Sequence, residues 1–291
     1  MISSSKLNLV LLLLALSGTG KATQIQPGNP SSDPESVKKS IKETLEFAEM
    51  VRTRNDVALK KIGPSKSDRE AFKLFLKGPR TGITRLTLPV PCSMTIRQRI
   101  KDSDKFVREC PTQYVKGNGS NFSFRLNDYV SAALADLTIN GRSIYSAGVL
   151  SQGIMVGLGD VQMENISPSS EGVKYLFDFV PAKTLTEAEV QMNPFDSGLT
   201  IGKYLYSRAF KPEQNRTFAL RVVAYRATWE PPFLDSNGSF SSVGSKDPFY
   251  YDERKDIIVV FRIVRIEMDG SVTLIWRELN RIDSPKLKVH R

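Results

Sequence analysis

The chain of 291 residues carries 41 Lys+Arg against 31 Asp+Glu, a formal charge of +10, with two cysteines and a single histidine. That histidine is the penultimate residue, His290, which excludes Ser-His-Asp and Cys-His catalysis, histidine-ligated zinc and histidine as a general base. Neither a Walker loop nor an ordered dinucleotide-binding glycine motif occurs, and the reading includes no cofactor, metal site or catalytic residue.

Lys6 precedes an apolar run from Leu7 to Leu16, interrupted only by Asn8. Crossing a bilayer needs roughly 20 apolar residues, so this run is too short for an anchor. The segment SGTGKA follows, with Gly20 and Ala22 at the −3 and −1 places of a small-x-small cleavage site. These features predict a removable signal peptide over 1–22 and a secreted or periplasmic protein with no transmembrane segment in its mature part. Residues 23–33, rich in Gln, Pro and Ser, read as a flexible leader.

A helical segment is expected over 34–79. Val37, Ile41, Leu45, Ala48 and Val51 recur on one helical face behind Asp33 and Pro34. A second helix is expected to open at Ser67 with Glu70 as its capping-box partner, to bury Ala71, Leu74 and Phe75, and to stop at Gly78-Pro79.

From residue 80 the period changes to two, and an antiparallel β domain is expected over 80–280. Strand candidates are ITRLTLPV, FSFRL, DLTINGRSI with a turn at Asn140-Gly141, GVKYLFDFV with Val173, Tyr175, Phe177 and Phe179 on one face, and RTFALRVVAYRATW. With no helix read between these runs, the fold class is α+β, mainly antiparallel β, a sandwich or open barrel with two N-terminal helices packed on the sheet. Cys92 and Cys110 are expected to form a disulfide, as an oxidising compartment permits.

The clearest element is DIIVVFRIVRIEMDGSVTLIWREL, Asp256 to Leu279. A two-residue turn would set Arg262 opposite Arg277, and like charges directly opposite are destabilising. A three-residue turn, Met268-Asp269-Gly270 with Gly270 left-handed, pairs Glu267 with Ser271 instead. That register sets Arg262 opposite Trp276 in a cation–π contact, with Glu278 diagonal to it, and puts Ile258, Val260, Val264 and Ile266 on one face with Val272, Leu274 and Trp276.

The glycines of SAGVLSQGIMVGLGDVQ (Gly148, Gly153, Gly157, Gly159) do not have nucleotide-loop spacing and read as bulges or close backbone approaches. Asp160 and Asp178 are read as surface acids. Residues Pro231 to Tyr251 are long and aromatic, so Trp229, Phe233, Phe240, Phe249, Tyr250 and Tyr251 are the candidate contacts to a ligand or partner. Asn118, Asn121, Asn165, Asn215 and Asn237 head Asn-x-Ser/Thr triplets, glycosylation acceptors if the source is eukaryotic. The tail, Arg281 to Arg291, reads as a basic, frayed end.

The functional expectation is an exported, non-catalytic interaction or ligand-binding protein of the cell envelope or extracellular space. Its partners would be an anionic surface, a glycan or an envelope protein, and not nucleic acid. The competing reading is a carboxylate-dependent glycan hydrolase that needs neither histidine nor metal.

Overall fold

The structure is a computed structural model that describes residues 34–88, 92, 94, 98, 101–229 and 254–289. The signal-peptide segment and the leader lie outside these residues. The chain divides into two compact units. Among the described residues, one comprises those within 34–62 and 92–115, the other those within 63–88 and 116–289. The chain thus passes between the units near residues 62, 89 and 115.

The first unit contains helix α1 (Pro34–Ile62) and helix α3 (Ser103–Glu109). Cys92 and Cys110 are joined as a disulfide, with Cα atoms 5.8 Å apart. Asn55 donates its side-chain amide to the Tyr114 carbonyl at 2.7 Å, and Arg54 pairs with Asp104 at 2.8 Å. Phe106 and Tyr114 pack in a tilted pair with ring centroids 4.7 Å apart, and Ala58 and Ile62 of α1 are buried. On the expected apolar face of α1, Ile41 and Leu45 are exposed.

The second unit opens with helix α2 (Lys66–Ala71). Its cap lies two residues earlier than expected. Ser65 accepts from the Asp68 amide, and Asp68 answers from the capping-box position. Phe72 and Phe75, not Ala71 and Leu74, turn towards the core, and Leu74 is 81% exposed. The earlier start and the tight 3₁₀ turn at Phe75–Lys77 rotate the apolar face.

Seven antiparallel strands form the main sheet. In sequence they are β1 (Thr81–Leu86), β6 (Ser151–Gly159), β7 (Leu199–Ile201), β8 (Tyr204–Ser207), β10 (Thr217–Ala224), β12 (Lys255–Ile266) and β13 (Val272–Asp283). Their spatial order is β1-β13-β12-β10-β6-β8-β7. A second antiparallel sheet has the order β3-β2-β4-β5-β9, built from β2 (Asn121–Ser123), β3 (Asp128–Tyr129), β4 (Leu137–Asn140), β5 (Ser143–Ser146) and β9 (Ala209–Phe210). Neither sheet closes into a barrel. Every residue of β10 is buried, as a strand covered on both faces must be, which explains its nearly unbroken apolar run.

One face of the main sheet meets the smaller sheet. Trp276 lies 5.4 Å from Phe124 and 6.3 Å from Phe122, and Phe261 stacks between Phe124 and Phe218. On the other face Ile154, Val156, Ala219, Ile258, Val260 and Ile275 pack with Leu176, Met192 and Phe195 from two helices, α4 (Lys174–Asp178) and α5 (Leu185–Ser197).

Both helices correct the sequence reading. Within the run 172–180, expected as a strand, residues 174–178 form α4; its N-cap Val173 and its Leu176 are fully buried, and Lys174 bonds Asp178 one turn away. A short run apolar at nearly every position fits either period, and its packing partners decided the outcome. Helix α5 lies where no helix was expected. Its signal was present, since Thr184 and Glu187 form a reciprocal capping box.

The β4–β5 hairpin pairs Asn140 with Ser143, so its turn residues are Gly141 and Arg142, with Gly141 at φ 56°. The expected turn was thus one residue early. In the β12–β13 hairpin the three-residue turn forms as expected. Glu267 and Ser271 bond, and Gly270 takes φ 79°. Beyond it the register slips by one residue between Ile263 and Arg265, leaving Val264 as a bulge. Arg262 therefore pairs with Ile275 and Trp276 with Phe261. Because neighbouring positions face opposite sides, Arg262 lies towards the helices and Trp276 towards the small sheet. The expected Arg262–Trp276 contact does not form, and Glu278 pairs instead with Arg80 and Arg281.

At Gly153 of β6 a close approach requires glycine. A Cβ there would lie 1.5 Å from the Ser146 hydroxyl oxygen and 2.2 Å from its Cβ, where β6 crosses β5. Gly153→Ala is expected to destabilise the protein by about 3 kcal/mol in urea unfolding. The added change Ser146→Gly should recover most of that loss, whereas Ser146→Ala should not.

Candidate functional site

Most residues singled out for binding, Phe233, Phe240, Phe249, Tyr250 and Tyr251, lie outside the described residues, as does Asn237. Trp229 is described as the last residue of a short strand, β11 (Arg226–Trp229). Asn165 and Asn215 are exposed and Asn118 is half-buried. Asn121 is buried, its amide donating to the Gly117 carbonyl and its oxygen accepting from Thr138, so its side chain serves the fold.

The two singled-out acids are both paired at the surface. Asp160 accepts from Arg262 at 2.7 Å, and Asp178 bonds Lys174. Among the described residues no group of three or more His, Cys, Asp or Glu is arranged to hold a metal.

Sequence reasoning missed how many arginines are internal. Arg125 and Asp136 have fully buried side chains joined at 2.7 Å. Arg221 grips both oxygens of buried Asp256 and also donates to the Leu176 and Phe179 carbonyls, which ends α4. Arg254, 1% exposed, donates to the carbonyls of Val149, Leu150 and Tyr225. Arg277 donates to those of Met163 and Ile166. The hint was a single arginine inside an apolar run, as in FALRVVA and VVFRIV. Such a residue needs internal partners when its strand is covered on both faces.

With these cations turned inward, one exposed basic surface stands out at the chain end. Residues 281–289 are not a frayed tail. Strand β13 runs to Asp283, and β14 (Lys286–Val289) pairs in parallel with β11. The period-two pattern of KLKV was the overlooked signal. Leu287 points inward, 1% exposed, against Ala182, Ala188, Val223 and Tyr225. The flanking Lys286 and Lys288 point outward, and Arg226 stands directly beside Lys286 in the register. Lys288 also donates its amide to the carbonyl of exposed Lys183 at 2.9 Å. Two acids border it: Glu187 accepts from the Lys183 and Thr184 backbone amides, and Asp283 is taken by Lys255 at 2.7 Å, which with Arg226 holds its carboxyl below the usual range.

Beneath this surface the Tyr225 hydroxyl bonds Gln152 and accepts from the Ala182 amide. Burial pushes this phenol up, as it does Tyr129 and Tyr175, and lifts Tyr206 to about 12. A raised folded pKa contributes stability that is complete below the unfolded value of roughly 10 and lost as pH rises through the folded value. Stability is therefore expected to fall between about pH 10 and pH 12, with phenolate absorbance and loss of β-sheet circular dichroism rising together. Full phenolate titration before any structural loss would contradict this.

Chemically, the site offers fixed exposed cations on a rigid two-stranded ribbon, an arrangement for holding anions. Comparison of the chain with protein-family models, with curated proteins and with solved structures gives no match.

Proposed function

We propose that the protein is an exported, non-catalytic binding protein of the cell envelope or extracellular space. The observation that carries this reading is the fate of the buried acids. Asp68, Asp136, Asp256 and Glu278 are the buried carboxylates among the described residues, and each is ion-paired to an arginine. Hydrolysis by two carboxylates needs one acid kept protonated by its surroundings, and a guanidinium partner works against that. The carboxyls with a resolved shift, Glu171, Asp269 and Asp283, are all held low. The Cys92–Cys110 disulfide supports export, because such bonds persist mainly in oxidising compartments. Among the described residues no helix is long and apolar enough to cross a membrane.

A screen of glycans and lipid vesicles, scored for both binding and release of reducing ends, tests the reading. Binding without turnover is expected. Turnover of a glycan would replace it with the hydrolase.

A further inference from the structure

We propose that the outward face of the β11–β14 ribbon, with Arg226, Lys286 and Lys288, is a binding surface for a linear acidic polysaccharide carrying carboxylate or sulfate groups. The inference rests on the binding reading above and names the ligand class. It starts from an arrangement the fold has no need of. Like charges set side by side across a strand pair are destabilising, and Arg226 and Lys286 are such a pair. Lys288 follows two positions on, and the backbone of exposed Lys183 is bonded beside it. None of these four side chains forms a salt bridge among the described residues, although Arg226 lowers the Asp283 carboxyl from a greater distance and Glu187 is bonded to the Lys183 backbone amide. Several other cations of this unit hold acids, among them Arg80, Arg125, Arg221, Arg262 and Arg281. An anion supplied from outside would complete the set.

The geometry selects the kind of anion. Adjacent strands lie about 4.8 Å apart and alternate residues along a strand about 6.6 Å apart. The cations thus form a small planar grid on a rigid support, which suits anionic groups repeated along an extended chain. A membrane surface is favoured less, because basic membrane patches act together with apolar groups that insert. Here Leu287, between the two lysines, is turned into the core.

The test is titration of the purified full-chain protein with heparin and with polygalacturonate at low salt. Three proteins are compared. These are the wild type, the triple variant Arg226→Gln/Lys286→Gln/Lys288→Gln, and a charge-matched control, Lys66→Gln/Arg69→Gln/Lys77→Gln, at exposed positions elsewhere in the same unit. The wild type should bind at least one polymer. The triple variant should bind about tenfold more weakly, as expected from three exposed ion pairs. Its dependence of log affinity on log salt should be shallower by about 2. The control should keep wild-type affinity. A second measurement needs no variant: bound polymer should protect Lys286 and Lys288 of the wild type from an amine-acylating reagent.

Equal weakening in both variants, no protection of the two lysines, or tighter binding to anionic vesicles or duplex DNA than to either polymer would overturn the inference. So would self-association of the triple variant at unchanged affinity, which would make the lysines guards of an exposed sheet edge. A neutral glycan or protein partner bound equally by all three proteins removes this inference and leaves the binding reading standing. Release of new reducing ends removes the binding reading itself.

Discussion

Asp136→Asn is expected to lower the unfolding free energy by about 3–5 kcal/mol, measured by equilibrium urea denaturation. Asp136 and Arg125 are both shut off from solvent, and both carboxylate oxygens face donors. One accepts from the Arg125 guanidinium at 2.7 Å, the other from the Ser123 hydroxyl and the Arg125 amide at 3.0 Å. An asparagine in either orientation aims its NH₂ at one of these donors and leaves the guanidinium without a counter-charge. The paired change Arg125→Met/Asp136→Leu should recover much of the loss, because replacing both ions by apolar groups removes the desolvation penalty. A loss below about 1 kcal/mol in the single variant, the range of an exposed pair, would show that the pair is open to water.

The second large effect is expected at Arg221. This side chain lies in the middle of β10, and it ties that strand to two other elements: β12 through Asp256, and the end of α4 through Leu176 and Phe179. Arg221→Met leaves Asp256 buried without a counter-ion and frees the α4 carbonyls, with an expected loss of about 3–5 kcal/mol. Arg221→Lys keeps the charge but cannot reach both carboxylate oxygens and two carbonyls at once, so an intermediate loss is expected. Hydrogen exchange should show the helix amides of 174–179 losing protection in both variants before those of β12. Uniform loss of protection would mean that Arg221 supports the whole fold instead of docking α4.

The fold class was legible because period-two alternation is direct evidence of strands, and because turn glycines announce hairpins. Gly270 marked its turn correctly. The bulge at Val264 was not legible. A one-residue slip is set by how two strands twist against their covering layers, and no local residue type announces it. Its consequence was large, for it moved Arg262 from Trp276 to Asp160. Residues 173–178 misled for a related reason, since their apolar content came from being covered on several sides. Helix α5 and strand β14 were legible and were passed over. Thr184 with Glu187 spelled a helix start, and Lys286-Leu287-Lys288-Val289 spelled a half-buried strand. Part of the positive charge is internal, on arginines that hold carbonyls and buried acids, and part is exposed, the β11–β14 ribbon included.

The protein is expected to hold a ligand without cutting it, and acidic glycans are the ligands the β11–β14 ribbon fits. Incubation with heparin and with polygalacturonate, followed in the same samples by calorimetric titration and by assay of reducing ends, measures both at once. The expected result is saturable, salt-sensitive binding with no new reducing ends over prolonged incubation. New reducing ends that accumulate in proportion to protein, or no binding to any member of a broad glycan and vesicle panel, would contradict it.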